Sequence, residues 1–211
     1  KKSCVKAKKK AKKKAKNLAV VGAVGTSTNS TQATANSTQA TLSPSFAPYV
    51  DMTLQSKAKN TANILQSGAK ASTLAFIVSG AACQASWGGY YGLGASDDWF
   101  DAKQLISDAR AAGSEPIISF GGASGQELAR TCTSAAAVQA QYQAVIDAYN
   151  VRNLDFDIEG ADQADATSLR RRFQAIAGLQ AAGVAAGKPV TVSVTLPVLP
   201  SGLTNNGMNV L

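Results

Sequence analysis

Asp155, Asp157 and Glu159 occupy alternate positions in the run LDFDIEG, interleaved with Leu154, Phe156 and Ile158. An extended backbone sends successive side chains to opposite faces, so the three acids share one face and the three apolar residues share the other. Same-face neighbours on a strand lie roughly 6.5–7 Å apart. Negative charges that close in a partly buried place raise the pKa of at least one carboxyl. A carboxyl held protonated is what a general acid requires. The chain contains no His, which excludes Ser-His-Asp and Cys-His catalysis within it and removes the commonest metal ligand. Two other uses of the acids remain: ion pairing with Arg170, Arg171 or Arg172, which read as the solvent side of the next helix, or holding a divalent cation. No metal is assigned.

Short β-branched or aromatic runs alternate with Ala-rich stretches of helical period from Phe46 onward. The pattern predicts strands over residues 49–54, 74–79, 116–120, 153–158 and 190–196. Helices are predicted over 58–66, 98–112, 135–149 and 167–182, the second and fourth closed by Gly113 and Gly183. Such alternation implies an α/β fold with a parallel sheet. No Gly-rich phosphate-binding turn follows the first strand, which favours a (β/α)8 TIM barrel over a doubly wound sheet. Glu159 then lies at the C-terminal end of its strand, where barrel enzymes place their chemistry. A full barrel takes roughly 250 residues, so the 166 residues from Phe46 to Leu211 correspond to about five strands. A barrel truncated there is expected to have little turnover.

Charge divides the chain further. Residues 1–16 hold ten of the 21 basic residues, and without them the net charge of +8 becomes −2. This Lys-rich tail is either a solvated extension or an electrostatic anchor for an anionic surface. It has no interleaved aromatics, so no specific nucleic-acid binding is expected. Residues 17–44 form a low-complexity linker with the tandem NSTQATA and NSTQATL and sequons at Asn29 and Asn36, read either as a glycosylated stalk or as an unmodified spacer. The folded domain is expected over 45–211. No stretch approaches the roughly 18 apolar residues of a membrane-spanning helix.

The LDFDIEG run resembles the DxDxE signature of glycoside hydrolase family 18, the chitinases and related endo-N-acetylglucosaminidases. SFGG at Ser119–Gly122 is similar to that family's SxGG at the end of the third barrel strand, and FAPYVDMTL and SVTLPVLPSGLT resemble its first and fifth strand regions. The longer family signature is DGxDxDxE, and Arg152 and Asn153 stand where its leading Asp and Gly would fall. The resemblance implies that Glu159 protonates the glycosidic oxygen. It implies that Asp157 holds the substrate N-acetyl group as the acetyl carbonyl attacks the anomeric carbon, and that Asp155 tunes Asp157. This is substrate-assisted retention, which needs no protein nucleophile and no cofactor. The implied partner is chitin or another N-acetylglucosamine-containing glycan. A non-catalytic, lectin-like relative and an endo-N-acetylglucosaminidase acting on glycoproteins are the other readings.

The Gly-rich loop CQASWGGYYGLGASDDWF, from Cys83 to Phe100, concentrates aromatic rings of the kind that stack on sugars. Trp87, Tyr90, Tyr91 and Trp99 are expected sugar contacts, Trp87 first among them, with core packing at least as fitting for Trp99 and Phe100 at the start of a helix. Ser119, Gly121 and Gly122 complete the expected substrate-binding set, the glycine pair allowing close backbone approach or simply a tight turn. Cys83 and Cys132 fall on neighbouring loops and are candidates for a disulfide, with two buried thiols as the alternative and Cys4 left over. A disulfide would fit export, and an extracellular location is expected.

Overall fold

The computed structural model describes residues 46–211. The Lys-rich tail and the Ser/Thr/Asn linker lie outside the described residues.

The chain begins with β1 (Tyr49–Asp51), α1 (Lys57–Ser67) and β2 (Ala71–Ser79), followed by a short antiparallel hairpin of β3 (Ala85–Trp87) and β4 (Tyr91–Gly92). Then come α2 (Ala102–Ala111), β5 (Glu115–Gly121), the single-turn α3 (Leu128–Thr131), α4 (Ala135–Tyr149) and β6 (Asn153–Asp157). A 3-10 turn at Gly160–Gln163 leads into α5 (Ala166–Ala185) and β7 (Thr191–Thr195). A second hairpin, β8 (Val198–Leu199) with β9 (Gly202–Leu203), and α6 (Asn205–Met208) close the described region.

Strands β1, β2, β5, β6 and β7 pair in parallel and in chain order. Order in space that follows order in sequence is the arrangement of a barrel wall, because a doubly wound sheet reverses direction at a switch point. The expected α/β class and parallel sheet are thus present. Strands β1 and β3 share one edge of β2, with β1 on residues 73–75 and β3 on residues 77–79. The hairpin therefore extends the sheet only at the C-terminal end of β2.

Several expected boundaries differ from the fold: the strand expected over 49–54 ends at Asp51, and the strand expected from 74 begins at Ala71. The segment 98–101 is not helical: Asp101 stays extended and caps α2, its carboxylate accepting the Gln104 N–H at 2.9 Å. Helix α5 runs through Gly183 to Ala185. A side chain at Gly183 would press on the Lys188 carbonyl, so this glycine answers to close packing against the following chain rather than to a cap.

The core lies between the sheet and its helices. Phe120 of β5 and Phe156 of β6 stack at 5.2 Å, and the Tyr142 ring of α4 meets both edge-on at 4.9 and 5.0 Å. Burying each such ring contributes about 1.5–3 kcal/mol. That packing orients the site: with Phe120 and Phe156 turned to the helices, the residues alternating with them must face the other way.

Candidate active site

Strand pairing sets the acids beside specific neighbours. Ser119, Asp155 and Ser193 are directly opposed across β5, β6 and β7, and one layer further on Gly121, Asp157 and Thr195 are opposed. The chain continues extended through Glu159 (φ −120°, ψ 168°), so the alternation predicted from sequence holds over all three acids.

Asp155 is 3% exposed and accepts four hydroxyl hydrogen bonds. Its Oδ2 receives Tyr49 Oη at 2.7 Å and Ser119 Oγ at 2.9 Å, and its Oδ1 receives Ser193 Oγ at 2.7 Å and Thr195 Oγ1 at 3.1 Å. A carboxylate ringed by donors is fixed in orientation. Burial, together with the Asp155 carboxylate it faces, holds the Tyr49 phenol well above its ordinary value, so this hydroxyl remains a donor. Beneath Asp155, on the N-terminal side of the strands, a cavity of roughly 410 Å³ is lined by Thr73, Ile117, Asn153, Thr191 and Ser193 among others.

Asp157 is treated differently. It is 7% exposed, yet among the described residues no hydroxyl or amide donates to its carboxyl, because Gly121 has no side chain and Thr195 turns to Asp155. Burial first, then the Glu159 carboxylate, then Asp155 push its pKa up to about 7. The raised carboxyl expected from charge crowding is therefore Asp157, the middle acid. Its position is set through the backbone: the Gly122 N–H donates to the Asp157 carbonyl at 3.0 Å.

The remaining expected site residues fall into different groups. Ser119 is fully buried beside Asp155 and holds that carboxylate, so it is not placed to touch substrate. Gly121 and Gly122 both adopt positive φ (95° and 88°), and a Cβ on Gly121 would overlap the Asp157 carbonyl, while one on Gly122 would collide with the Phe76 ring. Trp87 corrects an expectation: it is 0% exposed, packed against Phe100 and Tyr149, and its indole N–H donates to Tyr149 Oη at 2.7 Å. A large indole with a hydrogen-bond partner at hand is a core residue. Tyr91 is half-buried and stacks on Phe100 at 4.3 Å. Tyr90, at the hairpin tip and 83% exposed, is the one of the three with a free aromatic face.

Cys83 and Cys132 form a disulfide that joins the loop after β2 to the end of α3. The arginines correct a second expectation. Arg172 is 0% exposed and pairs with Glu127 at 3.0 Å, and Arg171 donates to the Ala129 and Cys132 carbonyls at 2.5 and 2.6 Å. Both serve the loop after β5, and the acids of β6 are left unpaired by them. Sequence reading overlooked Tyr49, Ser193 and Thr195. The signal was available in Thr191, Ser193 and Thr195, which alternate on β7 as the acids do on β6.

No protein-family model matches the chain. It is 38% identical over 168 residues to a protein of Escherichia coli K12 named probable bifunctional chitinase/lysozyme, an alignment covering 79% of this chain and 18% of that protein. It is 37% identical over 166 residues to endochitinase 11 of Metarhizium anisopliae, covering 79% of this chain and 31% of the relative. The chain thus spans less than a third of each of these two relatives. Among solved structures, the catalytic domain of a hyperthermophilic chitinase from Pyrococcus furiosus superposes with a TM-score of 0.61 at 30% identity, over 76% of this chain and 49% of that one. Catalytic-site mutants of the same organism's thermostable chitinase, complexed with chito-oligosaccharides, match with a TM-score of 0.60 at 32% identity, over 75% of this chain and 48% of theirs. With the DxDxE and SxGG motifs set in one acidic, hydroxyl-ringed face of a parallel sheet, this chain is a chitinase-like relative within glycoside hydrolase family 18.

Proposed function

We propose that this chain carries the acid face of a glycosidase that cleaves β-1,4-linked N-acetylglucosamine, most simply chitin. The observation that carries this reading is the contrast between neighbouring carboxyls. Asp155 is ringed by hydroxyl donors, whereas Asp157 lacks a hydrogen-bond donor from neighbouring strands and stays protonated up to about pH 7 beside Glu159.

In this reading the proton that Asp157 holds passes to its neighbour Glu159, leaving Asp157 a carboxylate, and Glu159 gives that proton to the glycosidic oxygen as the bond to the anomeric carbon breaks. The substrate's own acetyl carbonyl forms the replacing bond to that carbon, and Asp157 holds the acetamido group while positive charge develops. Asp155 stays in place and supplies fixed negative charge behind Asp157. Tyr90 offers its exposed ring to a sugar further along the cleft. An extracellular setting suits both the disulfide and a polymeric substrate. The Lys-rich tail, in the same reading, adheres to an anionic surface.

The test is hydrolysis of a chitooligosaccharide by the full-length protein that carries this chain and by its Glu159→Gln variant. Loss of turnover with retained oligosaccharide binding is expected of the variant. Undiminished turnover in that variant would remove Glu159 from the mechanism, and binding without turnover in the unsubstituted protein would favour the lectin-like reading.

A further inference from the structure

Glu159 is the last extended residue before the 3-10 turn Gly160–Gln163, and its side chain makes no capping hydrogen bond to that turn. Its main chain is held instead: the Asp162 N–H donates to the Glu159 carbonyl at 3.0 Å. The Asp162 carboxylate is gripped in turn by Arg130 of α3, Nη1 to Oδ1 at 3.0 Å. The same guanidinium reaches the Asp165 carboxylate with Nε at 3.7 Å. Asp165 caps α5, accepting the Thr167 and Ser168 N–H groups at 3.1 Å each. One guanidinium therefore bridges two carboxylates, one within the turn and one at its exit into the next helix. On the other side Gln163, buried, accepts Thr204 Oγ1 at 3.1 Å.

Arg130 is itself well anchored. It lies in the single turn of α3, whose start is capped by the buried Glu127 carboxylate and whose end carries the Cys132 disulfide. A rigid α3 gives the planar fork of Arg130 a fixed origin from which to locate the turn.

We propose that Arg130 is a positioning residue for Glu159, acting through Asp162 to fix the turn that presents the acid. The inference rests on the reading of Glu159 as the proton donor. Exposed ion pairs add little to global stability, whereas a displacement of about 1 Å at a reacting group costs about a hundredfold in rate. The two effects separate cleanly in an experiment.

The variants are Arg130→Met, Arg130→Lys and Asp162→Asn, made in the whole protein. Thermal unfolding, chitooligosaccharide kinetics and the Asp157 titration followed by carboxyl carbon NMR are measured for each. For Arg130→Met, kcat is expected to fall about tenfold to a hundredfold with KM nearly unchanged and the melting temperature within a few degrees of the parent. The Asp157 midpoint should move down as Glu159 recedes. Arg130→Lys, a point charge that can serve one carboxylate, should recover part of both effects, and adding Asp162→Asn to Arg130→Met should cost nothing more. Parental kcat and an unmoved Asp157 midpoint in Arg130→Met would overturn the proposal, as would full additivity with Asp162→Asn. If the parent protein fails to hydrolyse the oligosaccharide, the glycosidase reading fails, while the Asp157 midpoint still decides whether Arg130 positions Glu159.

Discussion

Gly122 holds Asp157 through the backbone, its N–H donating to the Asp157 carbonyl oxygen at 3.0 Å, and Gly121 keeps the approach to that oxygen clear. The glycine pair thus determines how close β5 and β6 come at the layer where the acids begin to leave the sheet.

Gly121→Ala should be severely destabilising. The alanine must adopt φ near 95° and its Cβ would overlap the Asp157 carbonyl. Backbone strain alone costs about 1–3 kcal/mol, and the clash adds to it. Urea unfolding is expected to show a loss of about 3 kcal/mol or more, and a loss below 1 kcal/mol would mean that β5 can shift freely.

Asp157 gives the protein a distinct pH dependence. Its pKa rises from 3.8 to about 7 on folding, so the folded chain binds the proton more tightly than the unfolded chain. The stability this contributes is complete below about pH 3.8 and is lost as pH rises to about 7. Asp157→Asn cannot titrate, so melting temperatures measured across that window should fall less steeply in the variant. The variant should be the more stable protein above pH 7, by on the order of a few degrees.

Ser119→Ala removes one donor from Asp155 in a fully buried place. A hydrogen bond to a charged group contributes about 1.5–3 kcal/mol, so urea unfolding should show a loss of that order. Turnover should fall as well, since Asp155 would be free to rotate within its remaining hydroxyls. A variant with parental stability would indicate that Tyr49, Ser193 and Thr195 suffice.

The buried pair of Glu127 and Arg172 predicts a difference between single and double substitution. Glu127→Gln leaves the Arg172 guanidinium charged and buried without its partner, an expected cost of about 3–5 kcal/mol. Combining it with Arg172→Met removes the unpaired charge, so the double variant should be more stable than Glu127→Gln alone in the same unfolding measurement. Tyr142 Oη donates to Glu127 at 3.1 Å and keeps an acceptor in both variants.

Much of the site was legible because alternation is a local property. Asp155, Asp157 and Glu159 share a face in any extended chain, and LDFDIEG needed no partner strand to say so. Helix α4 was placed at its observed limits, Ala135–Tyr149, by periodicity. Trp87 was misread because its surroundings are not local. A Gly-rich aromatic loop is what a sugar cleft would look like, but the hairpin of β3 and β4 folds against β2 and turns the indole toward Phe100 and Tyr149, 62 residues downstream. The same applies to Arg172, whose helical position looks solvent-facing until α3 is packed against α5.

The sequence by itself determined the chemistry available: three carboxylates on one face, no imidazole, and a strand-helix order that builds a parallel sheet. Only the tertiary structure decided how those carboxylates differ. Register across β5, β6 and β7 gave Asp155 its hydroxyls and set Asp157 beside a glycine, where burial and the neighbouring Glu159 carboxylate raise the Asp157 carboxyl.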